Sequence, residues 1–499
     1  MAHGHSRRRR RRRRPPSLPR ALGLTAASAL VPGTGHLVAR RHVAGWLLLG
    51  SFALLLSSVA ALMLWVPRSR LLQLAVQPQT LRYAMGVGIV LGVTWVLVVL
   101  SSYAVTRPRG MSLLHRAIGG LVVIVLCVAS AAPFAFGVRT AYVQHDLITH
   151  VFSANRQVAP DGGSMGDVAP DRPFIDKPRV NVLLLGGDAA KGRDGVRTDS
   201  MILASVDTST GNTVLISLPR NLQRVRFEPG TPMAERFPFG FTDLLNAVYR
   251  YGEENRDVVP GARYAGAELI KQAFAHTLDL EVDYFVLVNL AGFRSIVDAL
   301  GGVHINVERR IPVGGHTNEN GYVVVPPNRY IEPGPQRLNG EDALWYGRSR
   351  IGSDDYERMA RQRCLLGAIA KQADPLRVLT RFQQLVSATK RIVLTDIPQQ
   401  ALPQLVQLAM KGKSAKITSL PFVRSAKFRP SDPDYDYIRD RVRLALTESE
   451  KPLASPSPGS GAGSGSTTAT SAPRSSAAPA PKPADSAGLV SLDEVCSYS

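Results

Sequence analysis

Cysteine is nearly absent. The 499 residues contain three, Cys127, Cys364 and Cys496, which make no disulfide framework and show no metal-ligand spacing. A Cys364–Cys496 bridge is conceivable outside the cytosol, although the spacing alone argues only weakly for it. Also missing are a Walker A loop, a GxSxG elbow and an HExxH helix, which removes P-loop, α/β-hydrolase and zincin chemistry. Gly186-Gly187 is too weak a glycine signal to mark a nucleotide site. Histidine offers no evident general base, since His276, His304 and His316 stand apart from the polar motifs. Acidic residues are outnumbered, 39 against 60 basic ones. The formal charge of +21 falls to +13 once the eight arginines Arg7–Arg14 are set aside. So basic a remainder suits an anionic substrate or surface.

Charge is wholly absent from Val43–Val66, Tyr83–Val105 and Ala117–Val138. Each run has the ~20 apolar residues that cross a bilayer, and together they are too many and too long for a signal peptide. Residues 1–42 then form a basic cytoplasmic arm. The arginine run reads as an orientation anchor, with no nucleic acid as partner. Within the arm, Leu22–Ala39 is semi-apolar but broken by Pro32, Gly33 and Gly35, as in an interfacial or re-entrant piece. Three crossings (residues 43–138) place everything after Arg139 outside; a fourth through Leu22–Ala39 would place it inside. A linker (139–178), an α/β catalytic domain (179–424), an amphipathic C-terminal helix (425–450) and a tail (451–499) follow. The Ser/Ala/Pro/Gly tail cannot form a core and is expected to be disordered; its last residues, LVSLDEVCSYS, fit no pattern.

In the large domain, Val180–Leu185, Met201–Asp207, Thr213–Leu218, Asp283–Asn289 and Val303–Val307 read as strands, with Lys416–Val423 a further one. Thr242–Tyr251, Tyr264–Thr277 and Gly292–Leu300 read as helices, His316–Arg329 as a hairpin or surface loop, and helices are expected on to Met410. The alternation predicts a three-layer α/β/α sandwich with a mixed central sheet.

The chemistry centres on Ala343–Gln362. Arg348 and Arg350 alternate like same-side residues at a strand end. Arg358, Arg361 and Gln362 follow at i, i+3 and i+4, so they share a helix face. Asp354 and Asp355 fall where a helix needs a cap. Alone, such a run is as readily a solvated, salt-bridged helix. Two carboxylates elsewhere shift the balance: Asp188 ends one strand and Asp199 opens the next, with Arg197 between them and Arg220 ending the third on the same edge. Oxygen-only ligation suits Mg²⁺, with Mn²⁺ as the alternative. A metal-side acid pair amid fixed arginines is what phosphoryl transfer requires.

The ordered motifs VNVLLLGGD, RTDSM, ISLPRN, LNAVY, DYFVLVNLAGF, VDALGGVHINV, LNGEDALWYGRSR and DYERMARQR resemble those of the LytR-CpsA-Psr family over about residues 179–390. The resemblance implies a membrane-anchored, multi-pass phosphotransferase with an extracytoplasmic catalytic domain. It would attach a polyprenyl-pyrophosphate-linked glycopolymer (teichoic acid, arabinogalactan or capsule class) to peptidoglycan through a phosphodiester. It makes Asp188 and Asp199 the Mg²⁺ carboxylates. Arg197, Arg220, Arg348, Arg350, Arg358 and Gln362 become pyrophosphate and active-site groups, with Arg361 near them. Asp355 matches the acidic residue before the arginine helix. Asn221 and Arg363 depart from the family pattern, as do three spans in place of one. The alternatives are a pyrophosphatase that uses water as acceptor, and a non-catalytic wall-polymer binding or regulatory protein. Asp199 and Asp355 are the candidate bases.

Overall fold

The computed structural model describes residues 17–108, 110–152, 177–188, 197–318, 322–373, 393–450, 489–492 and 496. The arginine run, most of the expected linker and most of the low-complexity tail lie outside them. The chain divides into two compact units, residues 1–149 and 150–499.

The first unit contains α1 (Leu18–Leu30), α2 (Thr34–Val38), α3 (His42–Trp65), α4 (Arg68–Ala75), α5 (Pro78–Thr106) and α6 (Leu113–Val151). Of these, α3, α5 and α6 are long and apolar enough to cross a membrane. Helix α6 overruns its predicted end because Thr140–His150 contains no glycine or proline to stop it. The 13 residues of α1 reach only ~20 Å, short of the ~30 Å hydrocarbon core. Contacts with α5 show the path of the chain. The indole N–H of Trp95 donates to the Ala29 carbonyl at 2.9 Å, whereas His36 Nδ1 meets Ser102 Oγ, two turns along α5, at 3.4 Å. Between them the Gly35 amide donates back to Ser28 Oγ at 2.7 Å. Helices α1 and α2 therefore both lie beside α5, with a chain reversal between them. Gly33 makes the reversal at φ 97°, where a Cβ would stand 2.4 Å from the Gly45 carbonyl oxygen.

In the second unit a seven-stranded mixed sheet runs in the order β11-β4-β1-β2-β3-β12-β13. Its strands are β1 (Arg179–Asp188), β2 (Arg197–Asp207), β3 (Thr213–Ser217), β4 (Tyr284–Asn289), β11 (Val393–Thr395), β12 (Ile417–Pro421) and β13 (Val490–Ser491). Pairings β1–β4 and β3–β12 are parallel and the rest antiparallel. Alternation along the strands builds two cores. Leu183, Leu185, Met201, Leu203, Val214 and Ile216 face one side, under α7 (Pro232–Arg236), α8 (Leu245–Glu254), α9 (Ala265–Leu278) and the last helix. Leu184, Ile202, Ala204 and Leu215 face the other, with Cys364 and Leu366 of the arginine helix. This is the expected three-layer sandwich. Beyond it, α10 (Leu290–Leu300), α11 (Gly340–Arg348) and α12 (Asp355–Gln372) pack with small antiparallel pairs. These are β5 (Val303–Val307) with β10 (Gly334–Leu338), β6 (Ile311–Val313) with β9 (Arg329–Ile331), and β7 (His316–Thr317) with β8 (Val323–Val325).

Four readings change. Edge strand β11 lies in a stretch expected to be helical. Three residues carry little periodic signal, and the strand is held from outside: Asp396, just beyond it, accepts the Phe285 amide at 2.7 Å and Lys271 Nζ at 2.9 Å. Helix α13 (Leu402–Gly412) then leads to β12. Helix α14 (Tyr435–Glu450) is no appendage, because Ile438, Val442 and Ala445 bury in the main core. Arg348 and Arg350 do not end a strand, as described below. Lastly, the unassigned tail returns as β13, and Cys496 is disulfide-bonded to Cys364 across 132 residues. Closing so long a loop restricts the unfolded chain, so Cys496→Ser is expected to cost roughly 4–5 kcal/mol. Non-reducing denaturant melts of the two proteins would measure it; coincident curves would contradict it.

Candidate active site

The cage begins where β1 and β2 part. After a bulge at Gly186/Gly187 the backbones of Asp188 and Arg197 stand opposite each other, with Asp199 two residues on along β2. The side chains of Asp188 and Arg197 lie outside the described residues. Arg220 follows β3 by three residues, and its carbonyl accepts the Asn246 amide at the start of α8 at 3.1 Å. Its guanidinium spans two acids: Nη1 donates to Asp199 Oδ1 at 3.0 Å and Nε to Asp355 Oδ2 at 2.7 Å.

Asp355 is available because its neighbour does the capping. Asp354 accepts the Glu357 amide at 2.7 Å, and Glu357 reaches back to the Asp354 amide at 3.3 Å, a complete capping box. Arg350 Nη2 lies 3.6 Å from Asp199 Oδ2, and Arg358 Nη2 3.5 Å from Asp355 Oδ1. Arg348 is the last residue of α11 and Arg350 lies in the turn after it. Asn339 caps that helix through the Asp342 amide at 2.9 Å, and acids in its first turn favour it, so NGEDALWYGR coils where a strand end was expected. The Arg348 guanidinium sits over the Trp345 ring, 5.3 Å from its centroid, and the indole is fixed by an N–H bond to Glu341 at 2.8 Å.

Arg361 and Gln362 share the expected face but not the same task. Arg361 Nη2 donates to the Ser349 carbonyl at 2.6 Å and to Ser353 Oγ at 3.0 Å, holding the turn that carries Arg350. Gln362 lines the cavity, receives Ser200 Oγ at 3.1 Å and donates to the Gly347 carbonyl at 3.0 Å, tying α12 to β2 and α11. Ser200 and Trp345 were not singled out by sequence, though each lies inside a quoted motif. Arg363 is buried on α12, and burial alone pulls its guanidinium down to about 10.

Asp199, Arg348, Arg350, Arg358 and Gln362 line a cavity of about 650 Å³. Leu184, Ile202, Val286, Val288, Phe293 and Leu365 also line it, so the same cavity carries both cationic and apolar walls. Arg220, Arg350 and Arg358 stand within 4 Å of the two carboxylates, a surplus of one positive charge, and Arg348 adds another cation on the cavity wall. Arg358 is only 3% exposed, and burial brings it down to about 10 against the partial support of Asp355. It stays protonated at neutral pH. A polyanion would relieve this crowding.

Burial raises the Asp199 and Asp355 carboxyls, but the arginines outweigh it and hold both below the usual carboxylate range. The sign follows: the stabilisation is present above the unfolded carboxylate value and lost as pH falls through the depressed folded values. Charge loss in the cage is therefore expected below about pH 4. Carboxyl NMR titration would test this; midpoints at or above ordinary aspartate values would refute it.

Fold and site together define a class: an α/β/α domain with a cavity of both cationic and apolar walls, in a chain that also carries three membrane-length apolar helices. Residues 153–440 match the LytR_cpsA_psr family, and the chain belongs to it. Biofilm regulatory protein A of Streptococcus mutans is 26% identical over 267 residues, 52% of this chain but only 59% of that protein. The polyisoprenyl-teichoic acid–peptidoglycan teichoic acid transferase TagU of Bacillus subtilis is 24% identical over 325 residues, 62% of this chain and 91% of its own. Its Oceanobacillus iheyensis counterpart is 29% identical over 248 residues, 48% of this chain and 68% of its own. Among solved structures, B. subtilis TagV aligns with a TM-score of 0.39 at 22% identity, covering 55% of this chain and 98% of its own.

Proposed function

We propose that the protein is a membrane-anchored phosphotransferase that moves a wall glycopolymer from a polyprenyl-pyrophosphate carrier to peptidoglycan. One observation carries this: a single cavity is lined both by Arg348, Arg350 and Arg358, with Arg220 bound to the same acids beside it, and by apolar side chains such as Leu184, Ile202, Val286 and Phe293, which suits an amphiphile with a pyrophosphate head. The names of the TagU relatives point the same way. In this reading the acceptor hydroxyl oxygen bonds to the phosphorus bearing the glycan. The bond from that phosphorus to the bridging oxygen breaks, polyprenyl phosphate leaves with the electron pair of that bond, and the hydroxyl proton passes to water or to the leaving phosphate. Arg220, Arg350 and Arg358 stabilise the charge growing on the phosphate oxygens. Asp355 is a positioning residue that holds Arg220. Neither Asp199 nor Asp355, both depressed by arginines, is tuned to take the hydroxyl proton near neutral pH.

Mg²⁺, or Mn²⁺, belongs to the same proposal. No trio of His, Cys, Asp or Glu that could hold a metal occurs among the described residues. The donors at this sheet edge are hard carboxylates, however, and fit an ion that keeps waters and takes phosphate oxygens. Asp188 and Asp199 would hold it, and when bound it would neutralise phosphate charge.

The catalytic unit is assigned to the outer face. A re-entrant α1–α2 leaves an odd number of crossings behind the arginine run, and a Cys364–Cys496 disulfide suits an oxidising compartment. An alkaline phosphatase reporter joined after Ser499 is expected to be active; a stable, inactive fusion would reject this orientation. For the reaction, the purified full chain in vesicles is given a polyprenyl-pyrophosphate glycan and peptidoglycan fragments. Glycan joined to peptidoglycan supports transfer. Release of glycan phosphate alone makes the protein a pyrophosphatase, and retention without turnover a binding protein.

A further inference from the structure

The β7–β8 hairpin exposes an unusual surface. Tyr322 is 72% exposed, and all three residues of β8, Val323, Val324 and Val325, are 49%, 57% and 41% exposed, so both faces of the strand are apolar and open. Among the described residues, strand β8 pairs only with the two residues of β7, through His316↔Val325 and Thr317↔Val323. Asn318 closes the turn side by exchanging backbone and side-chain bonds with Tyr322 at 2.9 Å. At the other end Gly314 and Gly315 both have positive φ, 77° and 72°, and a Cβ on Gly315 would stand 2.6 Å from the Val325 carbonyl oxygen. The hairpin thus leaves the domain at a sharp angle that only glycine permits.

Gly314, Gly315, His316 and Thr317 are also walls of the large cavity. The exposed apolar strand β8 is therefore paired to a strand that forms part of the cavity wall. Residues 311–328 contain no lysine or arginine, which disfavours a layer of anionic headgroups and fits the boundary between headgroups and acyl chains. Tyr330, beside the hairpin, carries the Arg310 guanidinium 4.0 Å from its ring centroid. Aromatic rings with a cation at the edge are typical of membrane interfaces. A protein seated here would cover a cavity wall that a lipid substrate has to pass; a bilayer would supply that lipid.

We propose that the β7–β8 hairpin is a lipid-surface contact: Tyr322 and the valines of β8 rest in the interfacial zone of the bilayer and hold the adjoining cavity against it. The choice of a lipid rests on the proposed function; the exposed apolar surface does not.

The test uses the full chain in vesicles. A V324W variant is compared with the parent in lipids carrying brominated acyl chains, and the added fluorescence is expected to be quenched. The V323T/V324T/V325T variant keeps β-branching and hence the strand. It is expected to turn over a long-prenyl substrate embedded in the bilayer about tenfold more slowly, and a water-soluble short-prenyl substrate within about twofold of the parent. Unquenched fluorescence overturns the proposal, and a change in it that follows protein concentration assigns the face to a second copy. Equal loss on both substrates also overturns it. Quenching of the added tryptophan in V324W, where the parent transfers neither substrate, supports the contact and counts against the proposed function alone.

Discussion

Arg220→Ala is expected to lower transfer by roughly 30- to 1,000-fold, about 2–4 kcal/mol of transition-state stabilisation, without unfolding the domain. No other described side chain hydrogen-bonds both Asp199 and Asp355. Removing it takes one cation from the phosphate site and leaves two carboxylates closer to being unopposed, so the surplus of positive charge falls just where negative charge is to grow. Arg220→Lys should recover little, because one ammonium cannot repeat a fork that serves two acids at once. The measurement is single-turnover transfer with a thermal melt on the same sample. Wild-type rates with an unchanged melt would return these arginines to the role of a surface salt-bridge network. Asp355→Asn offers a contrast: if the acid only positions Arg220, its loss should be smaller and confined to kcat.

The second large effect concerns the metal. Excess chelator, and separately Asp188→Ala, are expected to reduce transfer at least about 100-fold while weakening retention of the carrier lipid less than about tenfold. The asymmetry follows from the cage, since the arginines bind phosphate oxygens through their own charge, whereas charge developed during bond cleavage exceeds what they neutralise. Lipid retention is followed by co-sedimentation across a Mg²⁺ titration, in parallel with transfer. Full transfer in chelator would eliminate the metal, and retention without transfer at every Mg²⁺ concentration would favour the binding-protein reading.

Much of the fold was legible because β1 to β4 are apolar runs of five residues or more bounded by turns. Strands β11 and β13 were not, since three and two residues have no period, and both exist only through what they pair with. At the site, helical spacing called for a cap at Asp354 or Asp355, of which Asp354 takes the role, and it put Gln362 on the face that lines the cavity. Spacing could not separate Gln362 from Arg361, one residue earlier on the same face, because a turn from another part of the chain captures Arg361. Arg348 and Arg350 were read as a strand end from their alternation alone. The Asn339 cap nine residues upstream carried the better signal.

The disulfide gives the Ser/Ala/Pro/Gly stretch an unusual status. With Cys496 joined to Cys364 and β13 laid on β12, the chain is attached to the domain both before and after residues 451–488. A protease that cuts once between Glu450 and Leu489 is expected to release nothing: the two pieces stay joined through sulfur, and the nicked protein keeps its edge strand. Limited proteolysis should give one band without reductant and two with it, with transfer unaffected by the nick. A chain of this kind tolerates a cut within its Ser/Ala/Pro/Gly stretch for as long as the thiol chemistry around it leaves the disulfide oxidised.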